Sequence, residues 1–116
     1  MPEHAADAGL RAWCLTEARA TSLWSLPVVM SELGRFDAAS WLGEVDVPTG
    51  VLITARDRVI PTARQRNLAS LIPAAIVRDA PGGHASLVFD VKRWKPVFLA
   101  LVDEVVERST KAAAAG

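Results

Sequence analysis

Cysteine is almost missing from this sequence: Cys14 stands alone among 116 residues, so no disulfide can close within the chain. A reducing, cytoplasmic setting is the expectation that follows, with Cys14 read as a small buried hydrophobe on a helix. Histidine is scarce too, with His4 and His84 the only two. His4 has no partner at metal-ligand spacing, so no zinc centre is expected. No cofactor is expected either, because Gly82-Gly83 is too short for a phosphate loop and precedes His84 rather than a helix-borne Lys or Ser. No run of about eighteen apolar residues occurs, which excludes a membrane-spanning helix. The opening Met1-Pro2-Glu3-His4 lacks the positive stretch of a secretory leader. An excess of either charge is absent as well: 13 basic residues meet 13 acidic ones, with no basic run, so neither nucleic acid nor an anionic membrane is an expected partner.

What the chain does have is apolar material. Hydrophobic residues make up 51%, enough for a packed core and incompatible with a disordered chain. Arginine outnumbers lysine (Lys92, Lys95 and Lys111 are the only lysines) and alanine is abundant, a bias that points to a GC-rich, bacterial coding sequence.

The periodicity divides the chain into a helical front and a strand–helix–strand–helix back. Leu10, Trp13, Cys14 and Ala18 form one stripe, which predicts an amphipathic helix over about residues 5–20. Ser25-Leu26-Pro27 reads as a second start, with Ser as cap and Pro in the first turn. Val29, Met30 and Leu33 then share a face, and Gly34 takes the left-handed stop. From Val47 to Ala55 the apolar residues are consecutive rather than alternating, which suits a strand covered on both faces in a parallel sheet. Arg56-Asp57-Arg58 ends it. Pro61 opens a helix to about Leu71, with Leu68, Leu71 and Ile72 inward, and Pro73 stops it. Ala74–Asp79 forms a second strand, leading into the turn Pro81-Gly82-Gly83-His84. Trp94, Val97, Phe98, Leu101, Val102 and Val105 mark a long final helix with Pro96 near its start. Residues 109–116 are read as a fraying, disordered tail. Strands and helix of these lengths make a right-handed βαβ unit, and the fold class is α/β.

Chemistry in parallel sheets gathers beyond the carboxyl ends of the strands. Asp57 lies just past the first strand and His84 in the glycine turn after the second, so neighbouring parallel strands bring both to one edge. Taken singly, Asp57 reads as a turn former and His84 as a packed or solvated histidine. Together they match the acid and base of a nucleophile–His–acid triad.

The segment Asp46–Pro61, with Val-Pro-Thr before an apolar strand and Asp57 four residues before Pro61, resembles the acid-bearing strand of α/β-hydrolases. Leu71–Ala74 through Gly82-Gly83-His84 resembles the stretch that delivers the catalytic histidine of that family, and residues 85–108 its last helix. The resemblance implies a C-terminal portion of the hydrolase fold. In it, residues 1–40 are the end of a lid, 41–108 the βαβα part of the core, Asp57 the acid and His84 the general base. The family's nucleophile elbow, G-x-S-x-G or an Asp equivalent, occurs around none of the glycines, and Ser86 has no elbow context. The functional expectation is therefore the acid–histidine half of a hydrolase for a small ester, amide, epoxide or similar electrophile. It is a truncated or split form, acting on a small-molecule substrate only when complemented by a nucleophile-bearing half. The alternative is a non-catalytic interaction domain that forms a homo-oligomer or complements a separate N-terminal half through an exposed strand edge.

Overall fold

A computed structural model describes residues 3–116. The chain divides into two compact units, Met1–Asp37 and Ala38–Gly116. The first holds two helices, α1 (Glu3–Ala20) and α2 (Ser25–Arg35). In α1, Leu10 and Cys14 are half-buried and Trp13 is exposed, so Cys14 is less enclosed than the sequence reading placed it. His4 falls where side chains are not described.

Two terminus signals in α2 read differently in three dimensions. Ser25 is the first helical residue rather than the cap: Trp24 precedes it with no side-chain cap, and the Ser25 hydroxyl donates to the Ser22 carbonyl at 2.7 Å. The local side-chain-to-backbone bond that suits Ser for capping has been made one turn earlier. Gly34 lies inside the helix without a positive φ, and Phe36, in extended conformation, ends it. Val29, Met30 and Leu33, the expected inner stripe, are all exposed.

The second unit follows the element order α3 (Ala39–Leu42), β1 (Gly50–Thr54), α4 (Thr62–Leu71), β2 (Ile76–Ala80), α5 (Ser86–Phe89), α6 (Val91–Ala114). The strands pair in parallel, Gly50 opposite Ile76 through Thr54 opposite Ala80. The crossover helix between them makes the α/β unit expected from the sequence, although the first strand is shorter than the run Val47–Ala55.

Alternation along the strands sends one set of side chains to each helix. Asp79 reaches α4, where its carboxylate takes both bonds from Arg66 at 2.8 and 3.0 Å. Arg78, one position earlier, reaches α6 and pairs with Glu104. Gly50 lies on the α6 side as well: a Cβ there would stand 2.9 Å from the Leu101 side chain, so glycine lets the helix close on the strand. The core is Leu42, Ile53, Ala69, Ile72, Ile76, Ala80 and Leu101, with Ile53 and Ala80 fully enclosed.

Helix faces depart from the sequence expectation by about one residue. In α4 Leu71 is half-buried and, at its end, Ile72 is buried, as expected, but Leu68 is exposed, and Thr62, Gln65 and Ala69 complete the inward line. The small Ala69 lets the helix lie close over β1, whereas Leu68 would require a wider gap. In α6 the enclosed line is Trp94, Val97, Leu101 and Val105; Phe98 and Val102 sit on its exposed flank. Phe98 still packs edge-on against Trp94, with ring centroids 5.6 Å apart. The helix also runs on to Ala114, through residues 109–114 that the sequence reading gave to a disordered tail. Four consecutive alanines are strong helix formers, and Lys111 in the last turn complements the helix dipole.

Between α4 and β2 the backbone turns through Ala74, a non-glycine residue at φ 53°. The Arg108 guanidinium on α6 donates to the Ala74 carbonyl and holds this left-handed turn. Among the described residues, no helix is long and apolar enough to cross a membrane.

Candidate functional site

The ladder between the strands does not stop where the strands end. Ala55 N–H donates to Ala80 O at 3.0 Å and Arg56 N–H to Gly82 O at 2.9 Å. The two loops leaving the sheet are thereby tied together. Gly83 follows with its Cα against Arg56: an added Cβ would meet the Arg56 carbonyl oxygen at 2.9 Å. Gly82 has φ +98°, a conformation that L side chains rarely adopt. The glycine pair thus lets the second loop approach the first and turn sharply, and His84 emerges next to Asp57.

The His84 Nδ1 atom lies 3.1 Å from Asp57 Oδ2, across 27 positions of sequence. The Asp57 side chain is 2% exposed and that of His84 50% exposed. The acid is held below the surface while the imidazole reaches solvent. Asp57 Oδ1 accepts from the backbone N–H groups of Val59 and Ile60, both at 2.9 Å, and Oδ2 also accepts from the Thr54 hydroxyl at 2.9 Å. Burial pushes the Asp57 pKa upward. The hydrogen bonds from Ile60, Thr54, His84 and Val59 outweigh it and bring the carboxyl down from 3.8 to about 2.

That ionisation fixes the histidine tautomer. A carboxylate is acceptor-only, so the shared proton must sit on Nδ1, which leaves the Nε2 lone pair free in the neutral ring. Among the described residues, no hydrogen bond engages Nε2. The arrangement can take a proton at Nε2 and stabilise the resulting imidazolium through Asp57.

Two side chains that the sequence reading did not single out hold the acid in place. Gln65, on the inward face of α4, accepts from Thr54 N–H at 2.9 Å. Its amide donates to the Thr54 hydroxyl at 2.9 Å and to Ile60 O at 2.8 Å. Thr54 is buried, and its hydroxyl donates a hydrogen bond to Asp57. The only sequence signal was a threonine closing an apolar strand three residues before the acid. Gln65 carried none, because its role depends on the crossover helix returning over the strand end.

Ser86 begins α5, and its hydroxyl accepts from Gly83 N–H at 2.8 Å. It braces the glycine turn and does not sit in an elbow. His84 borders an open hollow of about 340 Å³ that Arg56, Arg58, Val59 and Ser86 also line. Among the described residues, no three metal-binding side chains cluster.

The chain is similar to the polyketide synthase ThaQ of Burkholderia thailandensis, with 33% identity over 87 residues, or 74% of this chain. The chain spans about 4% of that protein's length. No family model matches the chain, and no solved structure matches it.

Proposed function

We propose that this chain supplies the acid and base of an α/β-hydrolase active site, with His84 as general base and Asp57 as the residue that orients it. The observation that carries the reading is the direct Asp57–His84 hydrogen bond at the carboxyl ends of two adjacent parallel strands. In this reading residues 1–40 are the end of a lid and residues 41–108 the βαβα part of the catalytic core. The attacking group comes from polypeptide outside these 116 residues, because no serine here stands in a strand-to-helix elbow.

The reaction is nucleophilic substitution at a small electrophile. His84 Nε2 removes the proton of the incoming nucleophile or water as it bonds to the electrophilic carbon, and Asp57 balances the charge on the ring. The imidazolium returns the proton to the departing alcohol, thiol or amine as its bond to that carbon breaks.

Two measurements test this. The 116-residue chain is expected to hydrolyse p-nitrophenyl acetate no faster than free imidazole, since loss of one oxyanion donor alone costs about 10²–10³ in rate. Saturable turnover that disappears in His84→Ala would refute the need for an outside nucleophile. Nitrogen NMR should show the Nδ1–H tautomer of His84, and Asp57→Asn should change it; an unchanged tautomer would remove the basis of the proposal.

A second reading has its own observation. Apolar side chains stand exposed on α2 (Leu26, Val29, Met30, Leu33) and on α6 (Phe98, Leu99, Val102, Val106). Such surface suits assembly with another polypeptide. Sedimentation equilibrium across a hundredfold concentration range checks it: a strictly monomeric chain excludes self-association.

A further inference from the structure

The hollow in front of His84 carries charge of one sign. Arg56 and Arg58, both exposed, lie on its wall. Four other arginines of this unit are engaged: Arg66 with Asp79, Arg78 with Glu104, Arg93 with Asp90 and Arg108 with the Ala74 carbonyl; Arg64 is exposed and does not line the hollow. Among the described residues, no hydrogen bond or ion pair engages the guanidinium of Arg56 or Arg58. The one acid beside them cannot serve. Asp57 is buried, and its oxygens are taken by Thr54, Val59, Ile60 and His84.

We propose that Arg56 and Arg58 form an anion-recognition rim that selects substrates carrying a carboxylate or phosphate group close to the bond that is attacked. This inference rests on the reading of His84 as the base, because the rim matters to substrate choice only if chemistry occurs at that ring. Two residues of the loop that presents the acid thereby also present the specificity element. The alternation Arg-Asp-Arg places the acid below the surface and its two neighbours above it. A guanidinium offers a planar fork matched to two anionic oxygens, which a lysine cannot reproduce. Backbone geometry explains the loop's course without the side chains, since it is the Arg56 N–H and carbonyl that face Gly82 and Gly83. The guanidinium groups are free for a ligand.

The test is an NMR titration of the full chain at constant ionic strength with three probes: inorganic phosphate, monomethyl succinate and the neutral ester methyl butyrate. The anions are expected to shift the Gly83, His84 and Ala85 amides, and methyl butyrate is not. Arg56→Gln/Arg58→Gln should weaken anion binding on the order of tenfold or more, and Arg56→Lys/Arg58→Lys should fall between. Response to phosphate alone, to succinate alone or to both identifies the anion and supports the rim in each case. Equal affinity in the double glutamine variant, no response to either anion, or an equal response to the neutral ester would overturn it. Binding requires no turnover, so the two readings fail separately: a His84 tautomer indifferent to Asp57→Asn removes the base, whereas lost anion selectivity removes the rim.

Discussion

Replacing Gln65 by leucine tests how the acid is held. The substitution keeps volume and helix propensity but deletes three hydrogen bonds, to Thr54 N–H, the Thr54 hydroxyl and Ile60 O. At about 0.5–1.5 kcal/mol each, the loss is about 3 kcal/mol. A half-buried leucine returns about 1 kcal/mol through its apolar surface. The net destabilisation is therefore about 2 kcal/mol, a sizeable part of the roughly 5–15 kcal/mol that holds a domain together. In urea, with a slope of about 1–3 kcal/mol per molar for small proteins, the midpoint should fall by about 1 M. A cycle with Thr54→Val sharpens the claim. The two side chains touch, so the double variant should be less destabilised than the sum of the single changes, by about 1 kcal/mol. Far-UV circular dichroism over a urea series measures all four proteins. A Gln65→Leu chain within about 0.5 kcal/mol of the parent, as for an ordinary surface change, would refute this account of the strand end.

Three further outcomes are expected. Asp57 has a folded pKa of about 2 against 3.8 for the free group, so its contribution to stability is fully present above 3.8 and is lost as pH falls through about 2. Acid titration should show that loss in the parent and not in Asp57→Asn. Gly83→Ala forces a Cβ to within 2.9 Å of the Arg56 carbonyl oxygen and should cost about 1–3 kcal/mol; the His84 ring signals should move with it, and an unmoved spectrum would show that the loops are not wedged together. Ala74→Gly relieves a left-handed residue at φ 53° and should raise the melting temperature by a few degrees, about 1 kcal/mol; a lower melting temperature would contradict the strain.

The parallel pair was legible because consecutive apolar residues, Pro punctuation and the charged stop at Arg56 act locally. The pairing of Asp57 with His84 followed from where parallel strands must end. Helix faces were less legible. Leu68 is more hydrophobic than Ala69 or Gln65, and periodicity alone favours the larger side chain. Close approach of α4 to β1 instead selects the smaller one. Gln65 was hidden for the same reason: a polar side chain on an inward face acquires meaning only from the strand end it covers. The reach of α6 through its alanines was hidden by the loss of an apolar stripe, although helix propensity and the Lys111 charge favour continuation there.

Among the described residues, every hydrogen bond to the Asp57 carboxylate or the His84 ring comes from residues between Thr54 and His84, and the turn that presents the histidine is closed by Ser86. The Asp57–His84 pair is therefore the property of one uninterrupted stretch of sequence. A recombination breakpoint before Gly50 or after Phe89 would carry the pair away with its tautomer already set. The polypeptide around it could then be exchanged, provided that the replacement still packs against the two strands and against Leu101.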